Sequence, residues 1–278
     1  MFVDLGVRNF NASSLTFSDD QIIEFKNKSK RYFDIRNLEE YLLGRDNYLN
    51  VEKITEDFFP KVEADVFLSH SHHDENDVIK LALCLENKGL DVFVDSCVWG
   101  WADKLLKKID NEYCLKDDGL YSYENRNRTT SNVYMILNSA LQSTISQCEL
   151  FLFLHTDNSI KMTSIYSRDE HIASPWIFSE LSFAKLCQRS SRKRYGVTQE
   201  SLSGIEKRAC DSTDVLFAYP NPGTRYNIDN NEFHEWLATP PSYEDKHDKI
   251  KALESLDRLY TKIKIPRILL KESRDINN

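Results

Sequence analysis

No run in this chain is long and apolar enough to cross a bilayer, since its longest apolar stretches are of the size of Leu150 to Leu154. Met1 to Phe10 lacks the basic start and apolar stretch of a signal peptide, so a soluble, cytoplasmic protein is expected. Positive charge is also in short supply. With 36 Lys and Arg against 44 Asp and Glu, the net charge is −8, which argues against a general attraction to nucleic acid or to an anionic membrane. A local phosphate-binding site stays compatible with that balance. The six cysteines are never closer than 13 residues apart, so no C-x-x-C pair exists for zinc or redox chemistry, and reduced thiols are expected. There is no G-x-G-x-x-G turn, which excludes the Rossmann manner of holding a dinucleotide. No internal repeat is visible.

What is present is a chain of 278 residues, 41% hydrophobic, enough for one well-buried core with appendages. Residues 1 to about 60 are polar and hold an amphipathic helix over Asp19 to Phe33 and a shorter one around Leu38 to Leu43. They read as a helical N-terminal extension. At Asp65 the character changes: Val66, Phe67 and Leu68 form a continuous apolar run that suits a strand covered on both faces. Val78, Leu81, Ala82 and Leu85 then recur at helical spacing, with Gly89 just past the end. A second strand, Leu90 to Val94, ends at Asp95.

After a tryptophan-bearing turn over Ser96 to Trp101, Ala102, Leu105, Leu106 and Ile109 mark a helix. The polar segment Leu115 to Ser131 has no period and reads as a surface insertion. Helical spacing resumes from Val133 to Leu141, and Leu150 to Leu154, the most apolar strand, belongs at the centre of the sheet. Ser174 and Pro175 signal a helix start, by capping and by the proline preference for the first position. Val215 to Tyr219 reads as a fourth strand, and Glu232 to Ala238 and Glu244 to Ile263 as helices. Alternating strands and helices imply a doubly wound parallel α/β sheet over residues 61–238, with 239–278 as a C-terminal helix and tail. Such sheets bind ligands beyond the carboxyl ends of their strands, here Ser69 to His73, Asp95 to Trp101, and His155 onward.

Three clusters lie on that rim. In Ser69-His70-Ser71-His72-His73-Asp74, the spacing of His70, His72 and Asp74 resembles the H-x-H-x-D-H signature of metallo-β-lactamase-type hydrolases. The next position, however, is Glu75 rather than histidine, and no metal is expected. The plain reading is a polar loop with Asp74 capping the next helix; imidazoles and hydroxyls at a strand end also suit phosphate, ribose or a base. Trp99 and Trp101, flanking Gly100, suit packing, self-association or stacking on an aromatic ligand. Trp176 and Glu180, four residues apart, share a helix face, while Ile177, Leu181 and Ala184 form the apolar stripe, which leaves Glu180 on the less apolar side. Taken alone, Glu180 reads as a solvated surface glutamate. The basic stretch Arg189 to Arg194 reads as a solvated helix end or loop.

Taken together, Asp65-Val66-Phe67-Leu68-Ser69-His70-Ser71, Gly89-Leu90-Asp91-Val92-Phe93-Val94-Asp95 and Ser174-Pro175-Trp176 through Glu180-Leu181 resemble the Toll/interleukin-1 receptor (TIR) family in its bacterial style. The ordered match spans about Ala64 to Leu186. It implies a flavodoxin-like sheet and an enzyme that cleaves NAD+ at the nicotinamide–ribose bond, with Glu180 catalytic. Ser69, His70, Ser71, His72, Asp95, Trp99, Trp101 and Trp176 would line the NAD+ site. The loop histidines depart from the family, whose members often carry aromatic or arginine residues there, and the insertion at 115–131 exceeds the usual spacing. NAD+ is then a consumed substrate, with no resident cofactor. The resemblance also implies self-association through TIR–TIR contacts, a role in bacterial anti-phage immunity, and a product, ADP-ribose or a cyclic ADP-ribose-type signal, read by a separate effector protein. The alternative from another class is a non-catalytic TIR module that recruits partners through the turn after the second strand.

Overall fold

The computed structural model describes residues 1–30, 38–43, 48–58, 63–162, 170–172, 174–190, 192, 218–240 and 249–271. Its centre is a five-stranded sheet of β1 (Val3–Arg8), β2 (Val66–Ser69), β3 (Val92–Val94), β4 (Leu150–Leu154) and β5 (Tyr226–Asp229). Every neighbouring pair is parallel and the spatial order is β5-β1-β4-β2-β3. The most apolar strand, β4, is central, as its sequence predicts. From β3 through β2 to β4 the winding is compatible with a flavodoxin-like fold.

The strands are extended because their side chains alternate into two apolar layers. Val3, Leu5, Val7, Val66, Leu68, Leu150, Leu152 and Leu154 face one layer, built with α1 (Asp19–Lys30), α3 (Glu75–Glu86), α7 (Asn230–Ala238) and α8 (Lys249–Lys262). Phe67, Phe93, Phe151 and Phe153 face the other, covered by α2 (Val51–Phe58), α4 (Ser96–Tyr113), α5 (Tyr123–Gln147) and α6 (Pro175–Leu186). On that face Phe67 lies between Phe93 and Phe151, with ring centroids 5.1 and 5.6 Å away. A small antiparallel sheet of Ile160–Met162, Glu170–Ile172 and Tyr219–Pro220 lies beside α6.

Several expectations are corrected. The N-terminal segment is not a purely helical extension, because β1 sits between β4 and β5. Its polar residues do not spoil the strand: buried Asp4 takes Arg225, and Gly6 allows close approach, since a Cβ there would come within 2.7 Å of His155 Nε2 and of Thr224 Oγ1. The C-terminal helix is equally integral, with Leu256, Leu259 and Tyr260 fully buried. Leu38 to Leu43 forms a 3-10 turn over Leu38–Tyr41 followed by a short strand.

The turn assigned to Ser96 to Trp101 is the start of α4, and Gly100 lies inside that helix. Asp95 Oδ1 accepts the Ser96 N–H at 2.7 Å, so the helix begins directly at the strand end. The insertion shrinks as well, since α5 starts at Tyr123, where the Ser122 hydroxyl accepts from Asn125 N–H. Its first turns carry exposed polar residues and an Arg128–Glu124 pair one turn apart, which is why they show no apolar stripe. The expected strand at Val215 to Tyr219 lies mostly outside the described residues, and the fifth strand is β5 instead. Arg189 and Arg192 are not simply solvated: Arg192 pairs with Asp257 at 2.8 Å, and Arg189 donates to Tyr226 Oη at 3.0 Å.

Candidate functional site

Beyond the carboxyl ends of β2 and β3, three distant segments converge. Ser69 is the last residue of β2 and His70 follows it; Asp95 ends the loop from β3 into α4; Glu180 comes from the second turn of α6. The local sequence explains each placement. Ser174 caps α6 by accepting from Ile177 N–H, and Pro175 stands at its first position. From that start, Glu180 lies three residues after Ile177 and four before Ala184, both buried. Glu180 thus sits on the apolar stripe itself, which corrects its assignment to the less apolar side and to solvent.

Glu180 is only 1% exposed. Its Oε2 accepts the Ser69 hydroxyl at 2.6 Å, and its carboxyl meets that of Asp95. Burial, reinforced by the Asp95 charge, pushes the Glu180 carboxyl well above the usual carboxylate range, although the Ser69 hydrogen bond works the other way. His70 Nδ1 lies 2.7 Å from Asp95 Oδ1, both side chains being buried. Burial alone would lower the imidazole pKa, but the Asp95 charge and hydrogen bond outweigh it and hold His70 above its usual value. His70 Nε2 and Ser96 Oγ are buried and have no hydrogen-bond partner. Ser69, His70, Asp95 and Glu180 therefore form one sealed polar chain at the sheet edge.

The other expected residues divide. Ser71 is buried beside this chain in sequence, and its carbonyl accepts the Asp74 N–H. His72 and His73 are exposed on a 3-10 turn. Asp74 stands at the start of α3 but makes no side-chain cap; its carboxylate instead accepts from Thr156 Oγ1 at 2.5 Å and Asn158 Nδ2 at 2.6 Å, joining the loop after β2 to the loop after β4. Thr156 and Asn158 were not singled out by sequence, and only their position after a strand end marks them. His70, His72 and Asp74 thus turn to three different surroundings, and among the described residues no His, Cys, Asp and Glu group is arranged to hold a metal ion. The Trp176 ring meets Tyr134 of α5 edge-on at 5.4 Å. Trp99 and Trp101 lie in the first turns of α4, and their side chains are outside the described residues.

His155 stands on the rim that the strand-end rule selects. His155, directly after β4, is pushed down to about 4 by burial, and its Nε2 is buried without a partner above Gly6. No helix among the described residues is long and apolar enough to cross a membrane. Comparison with known proteins gives no match, whether to a family model, a curated protein or a solved structure.

Proposed function

We propose that the chain is a TIR-type NAD+ nucleosidase whose catalytic carboxylate is Glu180. The observation that carries this reading is the meeting of Glu180 with Ser69 and Asp95, because these come from the three segments that resemble the TIR pattern and lie far apart in sequence. They meet at the carboxyl ends of parallel strands, where such sheets bind ligands.

The chemistry asks little of the protein. The bond between ribose C1′ and the nicotinamide nitrogen breaks, its electron pair passing to the pyridinium nitrogen, so nicotinamide leaves neutral and needs no general acid. This differs from ordinary glycosidases, which protonate the leaving oxygen. A carboxylate beside C1′ stabilises the developing positive charge. Water then bonds to C1′ and releases a proton, giving ADP-ribose; an adenine or ribose atom of the same molecule in place of water gives a cyclic product. Self-association, an effector protein that reads the product and a part in anti-phage immunity belong to the same reading.

A second reading, a non-catalytic TIR interaction module, is favoured by one observation: Glu180 is almost wholly buried, and a structural glutamate needs no route to substrate. Nicotinamide release from NAD+ separates the two. Purified protein is assayed with and without crowding or an infection-derived activator, beside Glu180→Ala. Loss of turnover in the variant alone supports the nucleosidase. Equal turnover in both, or none in either under every condition, supports the module.

A further inference from the structure

Glu180 Oε1 and Asp95 Oδ2 are both buried and both lack a donor, although the two side chains are hydrogen-bond neighbours. Two ionised carboxylates in contact away from water would leave both oxygens unsatisfied and repel each other. One proton removes both difficulties, because a carboxylic acid on one side donates to the carboxylate on the other. We infer that Glu180 and Asp95 share a single proton, with Asp95 carrying the charge, so that Asp95 is the positioning residue that holds Glu180 neutral in this arrangement.

The surroundings decide which partner is charged. Asp95 Oδ1 receives His70 Nδ1 and the Ser96 N–H, each at 2.7 Å, and the imidazole is one whose pKa the Asp95 carboxylate raises. Among the described residues, Glu180 receives only the neutral Ser69 hydroxyl. Other titratable groups stand near α6. Tyr134 of α5 is turned to Trp176 and Asp103, and Tyr219 stacks on Phe178. Glu170 is exposed and bonded to Asn221. His171, in the same strand, has a buried Nδ1 without a partner. Asp74 acts on His70 from the following turn and favours its charge. The resting pair is then a carboxylate on Asp95, held by the His70 imidazole and the Ser96 N–H, and a carboxylic acid on Glu180, held by the Ser69 hydroxyl.

This proton sharing bears on the proposed nucleosidase, and there it rests on that reading: a neutral Glu180 cannot stabilise a cationic ribose, so catalysis requires the pair to part and Glu180 to ionise. The sharing itself is tested without turnover, by infrared spectroscopy of protein carrying isotope-labelled glutamate. The wild type is expected to show a protonated carboxyl band at neutral pH that is missing in Glu180→Gln. In Asp95→Asn the band disappears at lower pH, since the repelling charge is gone. In His70→Gln it persists to higher pH, since the imidazole that favours ionised Asp95 is gone. The opposed shifts are a signature that a merely structural role does not produce, and either variant alone carries the test if the other fails to fold. A wild-type spectrum with no protonated glutamate at neutral pH, or a band unmoved in both variants, overturns the inference. A band that behaves as expected in a protein that never consumes NAD+ upholds the shared proton and removes the nucleosidase.

Discussion

The two ends of the central sheet bury carboxyl groups in opposite ways. At the amino edge, Asp4, Asp65 and Glu149 stand at the starts of β1, β2 and β4, and each has a partner from the C-terminal part of the chain. Arg225 meets Asp4, Lys249 meets Asp65, and the Tyr260 hydroxyl donates to Glu149 at 2.9 Å. None of these carboxyl oxygens is a buried orphan. At the carboxyl edge, Asp95 and Glu180 are pressed against each other, and their neighbours His70 and Ser96 keep unpartnered atoms. The first pattern fastens the C-terminal segment to the fold. The second keeps unmet hydrogen-bonding capacity at one point, a costly arrangement unless something uses it.

The sharpest way to break this comparison is to disturb the amino edge. Arg225→Ala leaves Asp4, fully buried, without its guanidinium and also removes donors to the Lys185 and Cys187 carbonyls. A loss of roughly 3 kcal/mol is expected in urea unfolding, as when a buried carboxylate is left without its charged donor. Tyr260→Phe removes one donor to buried Glu149 and is expected to cost about 1–3 kcal/mol by the same measurement. Neither variant, where folded, should alter NAD+ consumption.

Stability against pH offers a finer test. His70 has a raised folded pKa, so its contribution is complete below about pH 6.5 and is lost as pH rises through the folded value. Glu180, also raised, adds a loss in the same direction, as pH rises, beginning in the ordinary carboxylate range. His155 has the opposite sign: its folded pKa is lowered to about 4, so stability falls as pH drops from about 6.5 towards 4. Urea midpoints across this range should fall on both sides, the acid arm flattening in His155→Gln and the alkaline arm in His70→Gln.

How much of this was legible depended on whether an element's partners were local. The strands β2, β3 and β4 are visible because each is covered on both faces and reads as an apolar run. In β1, Val3, Leu5 and Val7 do alternate with polar residues, but Asp4 and Gly6 make sense only once Arg225, Thr224 and His155 are brought beside them. The first turns of α5 carry no burial signal because they project polar residues to solvent. At the site, the strand-end rule and the TIR resemblance singled out the residues that meet, Ser69, His70, Asp95 and Glu180. Their bonding was not legible, because it is set by contacts between residues distant in the chain, such as His70 to Asp95 and Ser69 to Glu180. The burial of Glu180 was nearly readable from its spacing to Ile177 and Ala184.

The smallest expected change in stability belongs to the variant with the largest expected change in function. In Glu180→Gln the side-chain amide reproduces the acid, its NH2 donating to Asp95 Oδ2 while its oxygen accepts from Ser69. Measured together, unfolding midpoint and nicotinamide release should separate: stability within about 1 kcal/mol of wild type, and turnover by the activated protein reduced on the order of 10²–10³-fold. A Glu180→Gln protein that unfolds far more easily, or that releases nicotinamide at the wild-type rate, would contradict the account.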